Sequence, residues 1–162
     1  MTSSAQPPVR PPLTVMSVDW EHPDAVTLRA EMAAEVRPRY AYLAKTLRTS
    51  SNAVDPGTVH RTFVAYSDGP VGHTAIRWNA EDLEVKRMFV RPAHRGSGAA
   101  ALLLGAAEDA ARAAGRPRLI LQTGHLQPEA VRFYERSGYY RIPIFSPYEV
   151  LPLSNCFAKD MR

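Results

Sequence analysis

A chain of 162 residues accommodates one domain with a real core and leaves little room for two. Its 45% hydrophobic and 22% charged content is that of a soluble globular protein, and no run approaches the roughly 20 apolar residues that span a bilayer. The formal net charge of +4 favours anionic partners, yet the arginines are spread along the chain, which argues against a dedicated nucleic-acid face.

Residues 1–12, MTSSAQPPVRPP, carry four prolines and no apolar h-region. A disordered or loosely docked tail is therefore expected before a single domain over 13–162, with no secretory signal. One cysteine, Cys156, excludes an internal disulfide framework and points to a reducing, cytoplasmic location. Its apolar flank reads as strand and not as a nucleophile's setting.

Leu13–Asp19 has a strand pattern. Pro23-Asp24 opens a helix in which Val26, Leu28, Met32, Ala33 and Val36 recur at helical spacing until Pro38 interrupts it. A second short helix is expected from about Arg39 to Arg48, then a loop over Thr49–Gly57. Val59–Ser67 and Val71–Trp78 flank the turn signal Asp68-Gly69-Pro70, which predicts an antiparallel hairpin, and Leu83–Val90 adds a third strand.

The following helix, from about Gly98 to Ala114, is stopped by Gly115, and Glu108 with Arg112 forms an i,i+4 pair of the favourable order. Leu119–Thr123 is a short buried strand whose connection length implies parallel pairing and a right-handed crossover. Pro128 starts another helix, Gly138 closes it, and strands follow at Tyr139–Ile142 and Ser154–Lys159 around the loop Pro143–Leu153. This order specifies an α+β domain with a mixed, mostly antiparallel central sheet flanked by helices.

The stretch Glu84–Leu104 concentrates the chemistry. A strand ends at Val90, Arg91-Pro92 breaks it, and Arg95-Gly96-Ser97-Gly98 leads directly into an alanine and leucine helix. Backbone N–H groups at a helix N-terminus lack intrahelical partners, and the helix dipole favours negative charge, so this is a socket for phosphate. The five histidines show no metal-ligand spacing, and neither a P-loop nor a dinucleotide fingerprint is present. No metal is expected.

Arg95-Gly96-Ser97-Gly98-Ala99-Ala100, placed after Lys86–Pro92, together with the later block Gln127–Tyr139, resembles the GNAT superfamily of acyl-CoA-dependent N-acetyltransferases. The resemblance covers Leu13 to Met161. It implies a sheet splayed at the cofactor site, acetyl-CoA as co-substrate and no metal. It also implies that the amides of Arg95–Ala100 cradle the pyrophosphate, with Gly98 admitting close approach and Ser97 adding a hydroxyl. Strand backbone at Met88, Phe89 and Val90 would pair with the pantetheine arm and polarise the thioester carbonyl. Gln127 stands where the family often has Asn, and a longer amide can make similar contacts.

For the protons, the resemblance offers Tyr134 as general acid, since a phenol with a pKa of about 10 keeps its proton at neutral pH. The alternative for Tyr134 is a ring packed in the core. Glu84 matches the position of a catalytic glutamate in many members. By period-two alternation it shares a strand face with Lys86 and Met88, and its alternative is a solvated charge paired to Lys86 or Arg87.

The implied activity is transfer of an acetyl or short acyl group from acyl-CoA to a primary amine by direct transfer in a ternary complex. The rival is a non-catalytic acyl-CoA sensor with the same fold. The acceptor pocket is expected between the first helices and the late loops, with Glu35, Arg39, Tyr40, Phe145 and Tyr148 as candidate lining residues. No nucleic acid or membrane partner is expected. The acceptor's identity and a homodimer both remain open at this level.

Overall fold

The computed structural model describes residues 11–43 and 53–162. The expected tail up to residue 10, and the predicted helix end and loop over 44–52, lie outside the described residues. Seven strands form one sheet: β1 (Thr14–Val18), β2 (Val59–Tyr66), β3 (Pro70–Asn79), β4 (Asp82–Val90), β5 (Arg118–Thr123), β6 (Tyr140–Ile142) and β7 (Asn155–Asp160). Their spatial order is β1-β2-β3-β4-β5-β7-β6, antiparallel throughout except for the parallel β4–β5 pair. The helices are α1 (Pro23–Val36), α2 (Ala99–Ala113) and α3 (Pro128–Arg136). Among the described residues no helix is long and apolar enough to cross a membrane.

One sheet face packs Leu83, Val85, Leu121 and Phe157 against Leu104 and Ala107 of α2 and Tyr134 of α3. The opposite face packs Val64 and Phe89 against Ala25 and Leu28 of α1. Instead of a separate second helix, a 3₁₀ segment over Arg37–Leu43 continues directly from α1 and kinks at Tyr40. Pro38 brings no N–H to that turn, so the α-helical ladder cannot run on through it.

The sheet opens between β4 and β5. Leu83–Val85 pair with Leu119–Leu121 and the pairing stops there, although β4 runs on to Val90. Gln122 and Thr123 pair with β7 alone. Just where the strands part, β4 slips by one residue against β3, from Ala75↔Lys86 to His73↔Phe89, and Arg87 takes a positive φ of 57°. That is a β-bulge, and it reverses the phase of the side chains.

The reversal corrects one expectation. Leu83 and Val85 face α2 before the bulge, and Met88 and Val90 face the same way after it. Glu84 and Lys86 therefore lie on the opposite face from Met88. A second correction concerns Glu108, which is buried and bonds Lys159 Nζ at 3.2 Å and the Tyr139 hydroxyl at 3.4 Å. Arg112 pairs with Asp109 instead. The partners of Glu108 come from β7 and from the turn that follows α3.

Candidate active site

The turn into α2 is built by two glycines in the left-handed region, Gly96 at φ 78° and Gly98, the N-cap, at φ 91°. A Cβ added at either would meet nothing within 4 Å, so the backbone conformation requires glycine and the space above it is open. The first intrahelical bond from this turn is Leu102 N–H to Gly98 O at 3.1 Å, which leaves the amides of Ala99–Ala101 without helical acceptors. Ser97 Oγ accepts from Ala99 N at 3.4 Å. Arg95 donates to Val90 O at 3.0 Å and pairs with Glu35 at 2.6 Å.

This turn heads a cavity of about 550 Å³ that runs between the outer half of β4 and α3. Of the residues read from sequence, Met88, Phe89, Val90, Arg95, Gly96, Gly98, Ala99, Ala100, Gln127 and Tyr134 line it, and Ser97 and Glu84 do not. His94 and Arg136 also line it and were not singled out from the sequence. Arg136 occupies the last turn of α3, where the sequence signal was only a cation near a helix C-terminus.

Tyr134 is held by the way α3 ends. Gly138, at φ 89°, lets Tyr139 N–H bond back to Tyr134 O at 3.0 Å while Gly138 N–H bonds Glu135 O at 3.1 Å. This αL closure places the ring of Tyr139 edge-on to Tyr134, centroids 5.7 Å apart. The Tyr134 hydroxyl makes no hydrogen bond among the described residues. Burial raises its pKa, so the phenol keeps its proton at neutral pH.

A second cavity, of about 460 Å³, adjoins the first, and Met32, Val36 and Gln127 line both. Its other walls come from Arg37, Tyr40, Tyr42, Arg87, His125 and the segment Val150–Ser154. Tyr40 crosses over Gly124 so closely that a Cβ there would sit 2.0 Å from its hydroxyl. That hydroxyl donates to Gln127 Oε1 at 3.3 Å and accepts from Leu126 N at 3.1 Å. The start of α3, the end of β5 and the 3₁₀ segment are thus locked together. The Tyr42 hydroxyl and His125 Nε2 lie 2.6 Å apart.

Among the expected acceptor residues, Tyr40 lines this second cavity. Glu35 and Arg39 line the first, each in an ion pair, with Arg95 and Glu129 respectively. Phe145 and Tyr148 line neither.

Glu84 is fully buried and lines neither cavity. Oε1 accepts from Arg77 Nε at 2.9 Å and Asn79 Nδ2 at 3.1 Å, and Oε2 accepts from the Tyr148 hydroxyl at 2.5 Å. Lys86 Nζ donates to the same hydroxyl at 2.6 Å, and burial pushes its ammonium down to about 8. The bulge has its own support. His73 Nδ1 lies 2.8 Å from Arg87 O, and His73 Nε2 lies 3.0 Å from Arg29 Nη1. Arginine only donates, so Nε2 accepts and Nδ1 carries the proton to the Arg87 carbonyl. Arg29 in turn stacks 3.5 Å over Trp20.

Residues 21–139 match the model of the acetyltransferase (GNAT) family. A relative from Azospirillum brasilense named IAA acetyltransferase is 41% identical over 104 residues, which is 62% of this chain and 68% of the relative. The crystal structure of a proposed acyl-CoA N-acyltransferase from Klebsiella pneumoniae subsp. pneumoniae MGH 78578 superposes with a TM-score of 0.75 at 30% identity, covering 93% of this chain and 98% of that one. A proposed acetyltransferase from Salmonella typhimurium, solved with its cofactor acetyl-CoA, shares the fold with a TM-score of 0.63 at 16% identity over 93% and 94% of the two chains.

Proposed function

The chain belongs to the acetyltransferase (GNAT) family and is an acyltransferase, and on that premise we propose that it moves an acetyl or similar short acyl group from acyl-CoA directly to a primary amine. The observation that carries the reading is the pair of adjoining cavities. One runs from the glycine turn of α2 along β4 to Tyr134, and the other meets it at Met32, Val36 and Gln127. Two substrates bound side by side can react without a covalent enzyme adduct, and holding them so supplies much of the rate.

The open helix N-terminus fits an anionic cofactor. Amides of Ala99–Ala101, with Arg95, Arg136 and His94 along the same wall, would hold its phosphates. The edge of β4 beyond Val85, uncovered where β5 turns away, is suited to pair with an extended arm. Acyl-CoA, when bound, supplies the activated thioester. A backbone N–H of Met88, Phe89 or Val90 polarises its carbonyl, and Tyr134 donates a proton to the departing sulfur.

Glu84 supports this site from beneath it. Its carboxylate already accepts three hydrogen bonds and meets neither cavity, so the amine's proton leaves through water in the acceptor cavity, beside His125. A non-catalytic sensor has no use for the second cavity, which favours the enzyme.

The test has two parts. Acetyl-CoA at 100 times its Kd stabilises the fold by about 2.7 kcal/mol and raises Tm, and an amine library then releases thiol. No shift at millimolar acetyl-CoA removes the cofactor from the reading. A shift without thiol release from any amine favours the sensor.

A further inference from the structure

The charge of the acceptor cavity narrows its substrate. Its described walls contain two arginines, Arg37 and Arg87, and no aspartate or glutamate. The acids on neighbouring elements are committed elsewhere. Glu31 pairs with Arg91, Glu35 with Arg95, and Glu129 with Arg39. Glu84 is buried against Arg77, and the one neighbouring acid without a cationic partner among the described residues, Glu149, is exposed, bonds Ser146 Oγ and does not line the cavity.

The two segments outside the described residues cannot reverse this balance. Residues 44–52, AKTLRTSSN, carry Lys45 and Arg48, and residues 1–10 carry Arg10; neither segment has an acid. A polycationic acceptor would therefore meet like charge with no carboxylate to receive its spare ammonium groups. An acceptor with an anionic group meets guanidinium donors, the side chain best suited to a carboxylate. The remaining wall is apolar, from Met32, Ala33 and Val36 on one side to Val150, Leu151 and Leu153 on the other. A volume of about 460 Å³ holds a small molecule and not a folded partner.

We propose, resting on the acyl-transfer reading above, that the acceptor is a small primary amine with an apolar or aromatic body and a carboxylate or similar anion, bound with the anion toward Arg37. The basic wall also disfavours the ammonium form of the bound amine, which helps expose the lone pair that attacks.

The experiment compares phenylalanine, phenylalaninamide, 2-phenylethylamine and spermidine. Binding to the enzyme saturated with CoA is measured by calorimetry, and turnover with acetyl-CoA by thiol release. The acid is expected to bind at least about tenfold tighter than its amide and amine counterparts, with spermidine weakest. Arg37→Gln should lose about tenfold in affinity for the acid while the Tm shift with acetyl-CoA is unchanged. Equal or better binding of the amide, the amine or spermidine overturns the proposal, as does no binding of any of the four. Tighter binding of the acid without turnover leaves the anion site standing and defeats the transfer reading. Turnover that prefers spermidine does the reverse.

Discussion

Tyr148 donates its hydroxyl proton to Oε2 of Glu84 at 2.5 Å, across 64 positions of sequence. The same hydroxyl accepts from Arg77 Nη2 at 3.1 Å and from Lys86 Nζ at 2.6 Å. Asn79 adds a bond from its amide to Ser146 O at 3.0 Å. These contacts fasten the loop after β6 to the end of β3 and the first half of β4, and the continuation of that loop, Val150–Ser154, walls the second cavity. Glu84 thus bears on the wall of the second cavity through Tyr148.

Tyr148→Phe should leave Glu84 and Lys86 short of a partner in the core. Removing one member of a buried charge-assisted set costs about 1–3 kcal/mol. We expect a lower Tm and an acceptor KM raised by roughly tenfold, with acetyl-CoA affinity within about twofold of the parent. A changed acetyl-CoA affinity with an unchanged acceptor KM would show that the loop serves the other cavity.

Tyr134→Phe keeps the ring packing against Phe133 and Tyr139 and removes only the hydroxyl. Loss of a general acid lowers turnover by about 10²-fold or more. Acetyl-CoA binding, followed by calorimetry, should move little. Full turnover in this variant would reduce Tyr134 to a packing residue.

Gly98→Val places a β-branched side chain at φ 91°, in open space as far as protein atoms go. The backbone strain alone costs roughly 1–2 kcal/mol. The side chain also fills the approach to the α2 amides, so acetyl-CoA affinity should fall by well over tenfold, more than the strain would predict if the site lay elsewhere. Affinity unchanged after correcting for stability would remove the socket from the site.

Stability should fall in acid because of His73. Burial lowers its pKa from 6.5 to about 4, so it is neutral in the folded state and charged in the unfolded chain between those values. The unfolded state binds more protons in that window, so stability is lost as pH drops from about 6.5 to 4, by roughly 3 kcal/mol. Protonated Nε2 would also face the Arg29 donor. His73→Gln should flatten this part of the stability curve, measured by denaturant titration at a series of pH values. An unchanged slope would mean that another group titrates there.

Much of the architecture was legible because it rests on short-range physics. The hairpin followed from Asp68-Gly69-Pro70 between alternating strands, and the turn into α2 from two glycines ahead of an alanine helix. The block Gln127–Tyr139 placed Tyr134 because a proline opens that helix and a glycine closes it. Ser97 Oγ accepts from Ala99 N, which leaves its O–H to donate. Alternation along β4 misled at one point, since nothing in LEVKRMFV marks Arg87 as the residue at positive φ. At the bulge the Arg87 carbonyl is bonded by His73, a side chain from the neighbouring strand.

The sequence by itself therefore determined the family and most of the order of elements, since each depends on residues within a few positions of one another. Tertiary structure alone decided the buried bonds of Glu84 and the basic lining, acid-free among the described residues, of the second cavity. Those features depend on which side chains meet when α1, the bulge of β4, the end of β5 and the segment after Tyr148 converge. Local pattern carries no information about such meetings, because the bulk of the free energy that selects them comes from burial and charge pairing between distant segments.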